Sequence, residues 1–325
     1  MGLKLKGSAS YQQMSGKPAF ILDFNEWVEG TKFRDLKAIK LHNGVVLDPT
    51  RNRDHLSYQL AREAGLMAPR VGWAEVTVNG NPYGLYIIVE KHDDPFIEYH
   101  KPGERDIGVV LEPNESRGSG WGWGDFGQGN VTNWDYEEGP IPPDPLTVDA
   151  LERADQLVAA APNDANVASF WEVMDKEPFL TYLAWETVVM HNDGYRAPNN
   201  WRVFVDGTTH LIQLLPAGVE WTWDANVSAW YSGGAAASWC LQNAGCKREY
   251  AEHVLVVADL AEQLDLAGQF ADQQVWLDPY IDSDTRYPNT WQSVGDARSS
   301  TSTHLADNPG EARRQVYQQY PDLRP

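Results

Sequence analysis

The sequence predicts an α+β chain of two lobes, and three observations carry that prediction. Short strand patterns fill residues 1–112. A Gly/Trp/Pro-rich stretch at 113–145 interrupts the composition. From 146 onward the apolar residues recur with helical spacing. The expected organisation is one domain over 1–325: a β-rich first lobe (1–112), a connector (113–145) and a mainly helical second lobe (146–325).

In the first lobe, strand patterns run over 3–6, 19–24, 37–41, 71–78 and 83–90. Asn79-Gly80-Asn81 supplies a hairpin signal between the last two. One helix interrupts them at 53–64. Asp48-Pro49-Thr50 precedes it as a start signal and Gly65 stops it. The connector contains E-S-R-G-S-G-W-G-W-G-D-F-G-Q-G-N and then P-I-P-P-D-P, which reads as a long loop and not as a core element. The second lobe shows helical patterns at 147–161, 178–190 and 248–270. The middle one is apolar enough to be a buried central helix. Between the last two, strand patterns at 201–205 and 211–215 flank Asp206-Gly207, another hairpin signal.

Bulk properties narrow the function. With 325 residues, 42% hydrophobic and 22% charged, the chain is long and apolar enough to bury a sizeable core. The net charge of -20 argues against general nucleic-acid binding, which needs basic surface to displace counterions. No apolar run approaches the roughly 20 residues of a membrane-spanning helix. Met1-Gly2-Leu3-Lys4 enters a strand pattern at once, so an edited or incomplete N-terminus is expected. The two cysteines, Cys240 and Cys246, have no neighbouring ligands for a zinc site. A helix through both would align them poorly, whereas a break at Gly245 would let them close a small loop. A disulfide and two buried thiols both stay open, the disulfide being favoured in an exported protein.

The stretch 188–224 bears the chemistry. It reads V-V-M-H-N-D-G-Y-R-A-P-N-N-W-R-V-F-V-D-G and then T-T-H-L-I-Q-L-L-P-A-G-V-E-W-T-W-D. The central helix delivers Asp193 into a Gly/Pro/Asn loop, where Asn199 and Asn200 follow. The hairpin then leads to a second acid, Glu220. Acid, amide and acid on loop, hairpin and loop is how kinase-like phosphotransferases set a catalytic base and metal ligands around a nucleotide phosphate. His191 reads as a helix-end histidine with its bonds satisfied. Asp282-Ser283-Asp284 lacks a full calcium loop and is discounted.

Further segments match one family in order and spacing. These are L-K-L-K-G-S-A-S, Lys17-Pro18 with F-I-L-D-F-N-E, L-K-A-I-K-L-H-N, D-P-T-R-N-R-D-H-L-S-Y-Q-L-A-R-E-A-G-L-M-A-P-R and V-N-G-N-P-Y-G-L-Y-I-I-V-E-K. H-N-D-G-Y, N-N-W-R-V-F and L-P-A-G-V-E-W-T complete the set. Over roughly residues 3–260 the chain resembles the CotH-type kinases, the spore-coat protein H family of atypical protein kinases. The resemblance implies a two-lobed, protein-kinase-like fold and Mg²⁺-assisted phosphoryl transfer from ATP to Ser or Thr of a protein substrate. It also implies a secreted or surface-associated setting, a cytoplasmic one being the alternative. Carried onto this chain, Asp193 is the catalytic acid that accepts the hydroxyl proton. Asn200 and Glu220 are metal ligands, with Asn199 as the substitute for Asn200. Lys17 is the phosphate-pairing lysine, and Ser8 and Ser10 lie in the turn over the phosphates. Glu90 closes a matching strand without an assigned role.

The chain departs from the family pattern in five places, one of them Glu112, which stands where that strand often carries a lysine. Ala217 stands where Trp is common, Glu220 where Asp is usual, and Lys6 where Arg is usual. Leu111 occupies a nucleotide-side position that often holds an aromatic. Two other readings compete with the active protein kinase. One is a pseudokinase or nucleotide-binding module without transfer. The other is a phosphotransferase with a small-molecule or sugar acceptor, held by the Trp-rich loop 121–134. A purely structural coat role ranks after both.

Overall fold

Alternation along the first strands builds the sheet that roofs the site. The structure is a computed structural model and describes residues 1–7, 11–103, 108–113, 124–286 and 291–325. β1 (Gly2–Lys6), β2 (Ala19–Asp23) and β3 (Ala38–His42) are followed by helix α1 (Arg53–Glu63). β4 (Val71–Val78) and β5 (Asn81–Glu90) complete an antiparallel sheet ordered β1-β2-β3-β5-β4. Ile39 and Leu41 pack with Phe20, Tyr83 and Tyr86 on one face. Lys40 and His42 therefore point to the other, in register with Val89 and Ile87 of β5. The hairpin expected at 79–81 is present. Asn79 and Gly80 both take positive φ (51° and 77°), as a two-residue turn matched to strand twist requires.

The start signal before α1 works through Asp48. Its carboxylate accepts from the backbone N–H of Thr50 (3.1 Å) and of Arg53 (2.9 Å). Leu56, Tyr58 and Leu60 of α1 are fully buried and join the main core. That core continues into the second lobe.

After α2 (Asp94–His100) comes a second antiparallel sheet. β6 (Val109–Glu112) and β7 (Asp135–Glu138) pair with β8 (Trp201–Val205) and β9 (Ile212–Pro216) in the order β7-β6-β8-β9. The connector is therefore more than a loop. Residues 114–123 lie outside the described residues, but Phe126, Val131 and Trp134 are buried in the main core and β7 is a strand. Trp134 stands edge-on to Phe126 and Trp201, with ring centroids 5.2 and 5.7 Å away. Aromatic burial outweighs the loop-forming glycines here.

α3 (Pro145–Ala159) and α4 (Asp164–Phe170) precede α5 (Lys176–Val189), the expected central helix. Every residue of α5 from Tyr182 to its end is buried. Met190 adopts a left-handed conformation that ends it. α6 (Ala235–Gln242) and α7 (Ala244–Gln263) are joined at Asn243, whose side chain accepts from the backbone N–H of Cys246 (2.9 Å). Cys240 and Cys246 form a disulfide across that junction. The break falls at Asn243, and Gly245 lies inside α7. The pattern at 248–270 is two helices, because Asp265 turns left-handed (φ 49°) and caps α8 (Leu266–Asp282). α9 (Trp291–Gln319) is the last α-helix, followed by a 3₁₀ turn at Pro321–Leu323. No helix among the described residues is long and apolar enough to cross a membrane.

Candidate active site between the lobes

A cleft of about 460 Å³ opens under the first sheet. Lys6, Ala19 and His42 line it from β1, β2 and β3, and the loop 43–48 continues the same wall. Asp193, Asn199 and Asn200 line it from the loop after α5, and Gly218, Glu220 and Trp221 from the loop after β9. Five sequence-predicted site residues thus meet in one cavity: Lys6, Asp193, Asn199, Asn200 and Glu220. A second cavity, beside Glu186 and Tyr250, holds only about 10 Å³ and has no room for a substrate.

Asp193 is clamped by the paired amides. Asn199 Nδ2 donates to its Oδ1 and Asn200 Nδ2 to its Oδ2, both at 2.6 Å. Burial raises the Asp193 pKa and the Glu220 charge adds to the rise, while the Asn199 bond, the charge of His191 and the Asn200 bond oppose it. The two loops are tied by backbone bonds, Asn192 N–H to Trp221 O (3.2 Å) and Trp223 N–H to Val189 O (2.8 Å). His191 is fully buried, and its Nε2 lies 2.9 Å from the carbonyl oxygen of Gly218. Gly194 is constrained too, since a Cβ there would fall 2.1 Å from His191 Nδ1 and 2.2 Å from Glu186 Oε1.

Glu220 faces the first lobe. Burial works against its charged form, but His42 and then Lys6 outweigh it and hold the carboxyl down at about 2. Its Oε1 lies 3.1 Å from His42 Nδ1, and that nitrogen lies 3.2 Å from Asp54 Oδ1. Burial pushes Asp54 up, with His42 opposing and Glu220 adding.

The remaining sequence-predicted residues fall elsewhere. The side chain of Lys17 is turned from the cleft: its Nζ donates to the carbonyl oxygen of Leu85 (2.7 Å) and forms a buried ion pair with Asp284. Asp284 therefore serves the fold and not a calcium loop. Leu111 is buried in the main core and does not line the cavity, because β6 is the inner strand between β7 and β8 and its odd positions face that core. Ser8 and Ser10 lie outside the described residues. Glu90 is tied to Arg70, whose Nε and backbone N–H both donate to Oε2 at 3.0 Å.

Three residues near the site were missed in the sequence: His42, which lines the cleft, and Asp54 and Lys40, which do not. The signal was strand alternation, since K-L-H puts Lys40 and His42 on one face, and Asp54 stands in the first turn of the helix that follows. Lys40 lies among Glu137, Arg202, Lys6 and Glu112, and burial lowers its pKa to about 8. Its ammonium has no hydrogen-bond or ion-pair partner among the described residues.

The chain is 22% identical over 199 residues to the inner spore coat protein H of Bacillus subtilis (strain 168), an alignment covering 60% of this chain and 52% of that protein. The chain thus spans about half the length of that relative. A HipA–HipB–operator DNA complex of Shewanella oneidensis MR-1 contains a chain 13% identical to this one, with a TM-score of 0.41 over 98% of this chain and 69% of the other. The family model described as CotH kinase protein matches residues 3–253. That match spans most of the sequence and both walls of the cleft, so the chain belongs to the CotH kinase protein family.

Proposed function

We propose that the chain transfers the terminal phosphoryl group of ATP to a Ser or Thr hydroxyl of a protein substrate, in the cleft between its lobes. The observation that carries this reading is the convergence of Asp193, Asn200, Glu220 and Lys6 on one cavity. The donor set suits Mg²⁺, which takes hard oxygen ligands: the Glu220 carboxylate and the Asn200 carboxamide oxygen would hold it, with Asn199 beside them. Asn199 Oδ1 is buried with no hydrogen-bond partner, which supports a ligand on that side. Once bound, the cation neutralises phosphate charge.

The chain's own residues do the rest. Lys6 supplies positive charge at the phosphate end of the cleft, and Lys40 supplies more behind it. Val45, Val46 and Leu47 give an apolar wall suited to a flat base. Asp193 orients the acceptor hydroxyl. As the hydroxyl oxygen bonds to the terminal phosphorus and the bond to the ADP oxygen breaks, the hydroxyl proton passes to Asp193 Oδ. Burial keeps that carboxylate more basic than an exposed one, which suits the proton it receives. The disulfide and the likeness to a spore-coat protein support a surface-associated site of action in an oxidising compartment.

Incubation with labelled ATP and divalent cation tests the reading. Wild type should transfer label to protein, and Asp193→Asn should lose about 10²–10⁴-fold. Equal, negligible transfer by both, with no nucleotide-dependent thermal shift, defeats it. Binding without transfer would instead support a nucleotide-binding module, a reading favoured by the nearness of Glu220 to His42.

A further inference from the structure

Three side chains from three separate elements converge at the inner edge of the cleft. His42 ends β3, Asp54 stands in the first turn of α1, and Glu220 follows β9. One ligand atom from each lies within 4.8 Å of the others. Asp54 is fully buried, the His42 side chain is 5% exposed, and the Glu220 side chain is 20% exposed toward the cleft.

The separations of 3.2 and 3.1 Å are hydrogen-bond distances, but the directions are wrong. Both ring nitrogens of His42 and both carboxylate oxygens of Asp54 are buried without a hydrogen-bond partner among the described residues. Leaving such groups unsatisfied is costly, and a buried carboxylate is the costliest of them. One Nδ1–H cannot serve two acids at once. One ligand atom from each group lies within 4.8 Å of the other two, the spacing of ligands around an ion.

We propose that His42, Asp54 and Glu220 form a site for a divalent first-row transition cation. Two carboxylates and one imidazole match the donor preferences of Mn²⁺ or Zn²⁺, whereas Mg²⁺ prefers oxygen alone. The two negative charges balance the cation, which removes the cost of burying Asp54 unpaired. Three protein ligands leave the remaining coordination positions open on the cleft side of Glu220, where water or a phosphate oxygen completes the shell. The site shares Glu220 with the Mg²⁺ ligands of the phosphotransfer reading, but it needs no nucleotide and goes beyond that reading.

Equilibrium dialysis of the purified, nucleotide-free chain against MnCl₂ alone, with MgCl₂ in parallel, tests the proposal. Wild type should bind one equivalent of Mn²⁺ at least about tenfold more tightly than Mg²⁺. His42→Ala and Asp54→Asn should each weaken Mn²⁺ binding by about tenfold or more, with circular dichroism confirming that each variant is folded. Asp193→Asn should bind Mn²⁺ as wild type does even where transfer is lost. Retained Mn²⁺ binding in a chain that transfers no phosphate would keep the cation site while removing the kinase reading. Crystals of wild type grown with Mn²⁺ locate the ion by anomalous scattering without any variant. Absence of Mn²⁺ binding, indifference to both substitutions, or a peak away from these three residues overturns the site.

Discussion

Gly218 faces Asn200 so closely that no side chain fits between them. A Cβ built on Gly218 would lie 2.7 to 3.0 Å from the Asn200 side chain, and Gly218 also has φ of +56°. Two constraints therefore act on one residue, a left-handed backbone and a close approach to a site amide. Gly218→Ala should lower stability by about 1–3 kcal/mol. It should also cut phosphotransfer by far more than that loss alone explains, because Asn200 is displaced. Chemical denaturation and a transfer assay on the same preparation separate the two effects.

The clamp on Asp193 makes a pH prediction. Its pKa is already raised by burial, and the Asn199 bond holds the rise in check. Asn199→Ala removes a donor to the charged carboxylate, so the pKa should rise further. A base must be deprotonated to act, so the acid limb of the kcat/KM profile should move to higher pH. A profile measured between pH 5 and 8 checks this, and a limb that stays in place or moves down contradicts it.

Lys17 and Asp284 make a stability prediction. The ion pair is buried on both sides, with side-chain exposures of 0% and 1%. Lys17→Met strands the Asp284 charge and should cost about 3–5 kcal/mol, whereas adding Asp284→Leu should recover much of it. Nucleotide affinity of the double variant then tests the role expected for Lys17 from the sequence. Affinity near that of wild type assigns Lys17 to the fold, and loss of affinity in a stable double variant restores it to the phosphate site.

The Cys240–Cys246 bridge closes a loop with a sequence separation of 6. By loop-closure entropy, removing it with Cys240→Ser and Cys246→Ser should cost about 2 kcal/mol. The bridge lies outside the cleft lining, so transfer by the folded double variant should match wild type. Thermal melting with and without reductant measures the first effect, and initial rates measure the second.

Much of the fold was legible because its signals are local. The alternation in β3, the Asn79-Gly80 turn and the apolar run of α5 each determine their own backbone. Asp193, Asn199, Asn200 and Glu220 were legible because one short stretch carries them. The ion pair of Lys17 was not legible for the opposite reason: its partner lies 267 residues away, and no local pattern reports that Asp284 will reach it. Leu111 was assigned to the nucleotide side, but pairing of β6 with β7 and β8 turns it into the core. His42 and Asp54 were overlooked because each is ordinary alone. Only the fold of β3 against α1 and the loop after β9 brings them to Glu220.

The family match ends at residue 253, yet α8 and α9 beyond it touch both lobes. Asp284 grips Lys17, and Gln274 Nε2 donates to the carbonyl of Thr50 (3.0 Å). Arg53 Nε donates to Thr301 (3.0 Å), and Asn308 reaches the carbonyls of Val188 and Ala225 at 3.3 Å. These helices work as a brace along the rear of the molecule. A brace of that kind should restrain how far the first sheet can swing against the second lobe. Shortening the protein to its recognisable portion would release that hinge and bare the lysine beneath it.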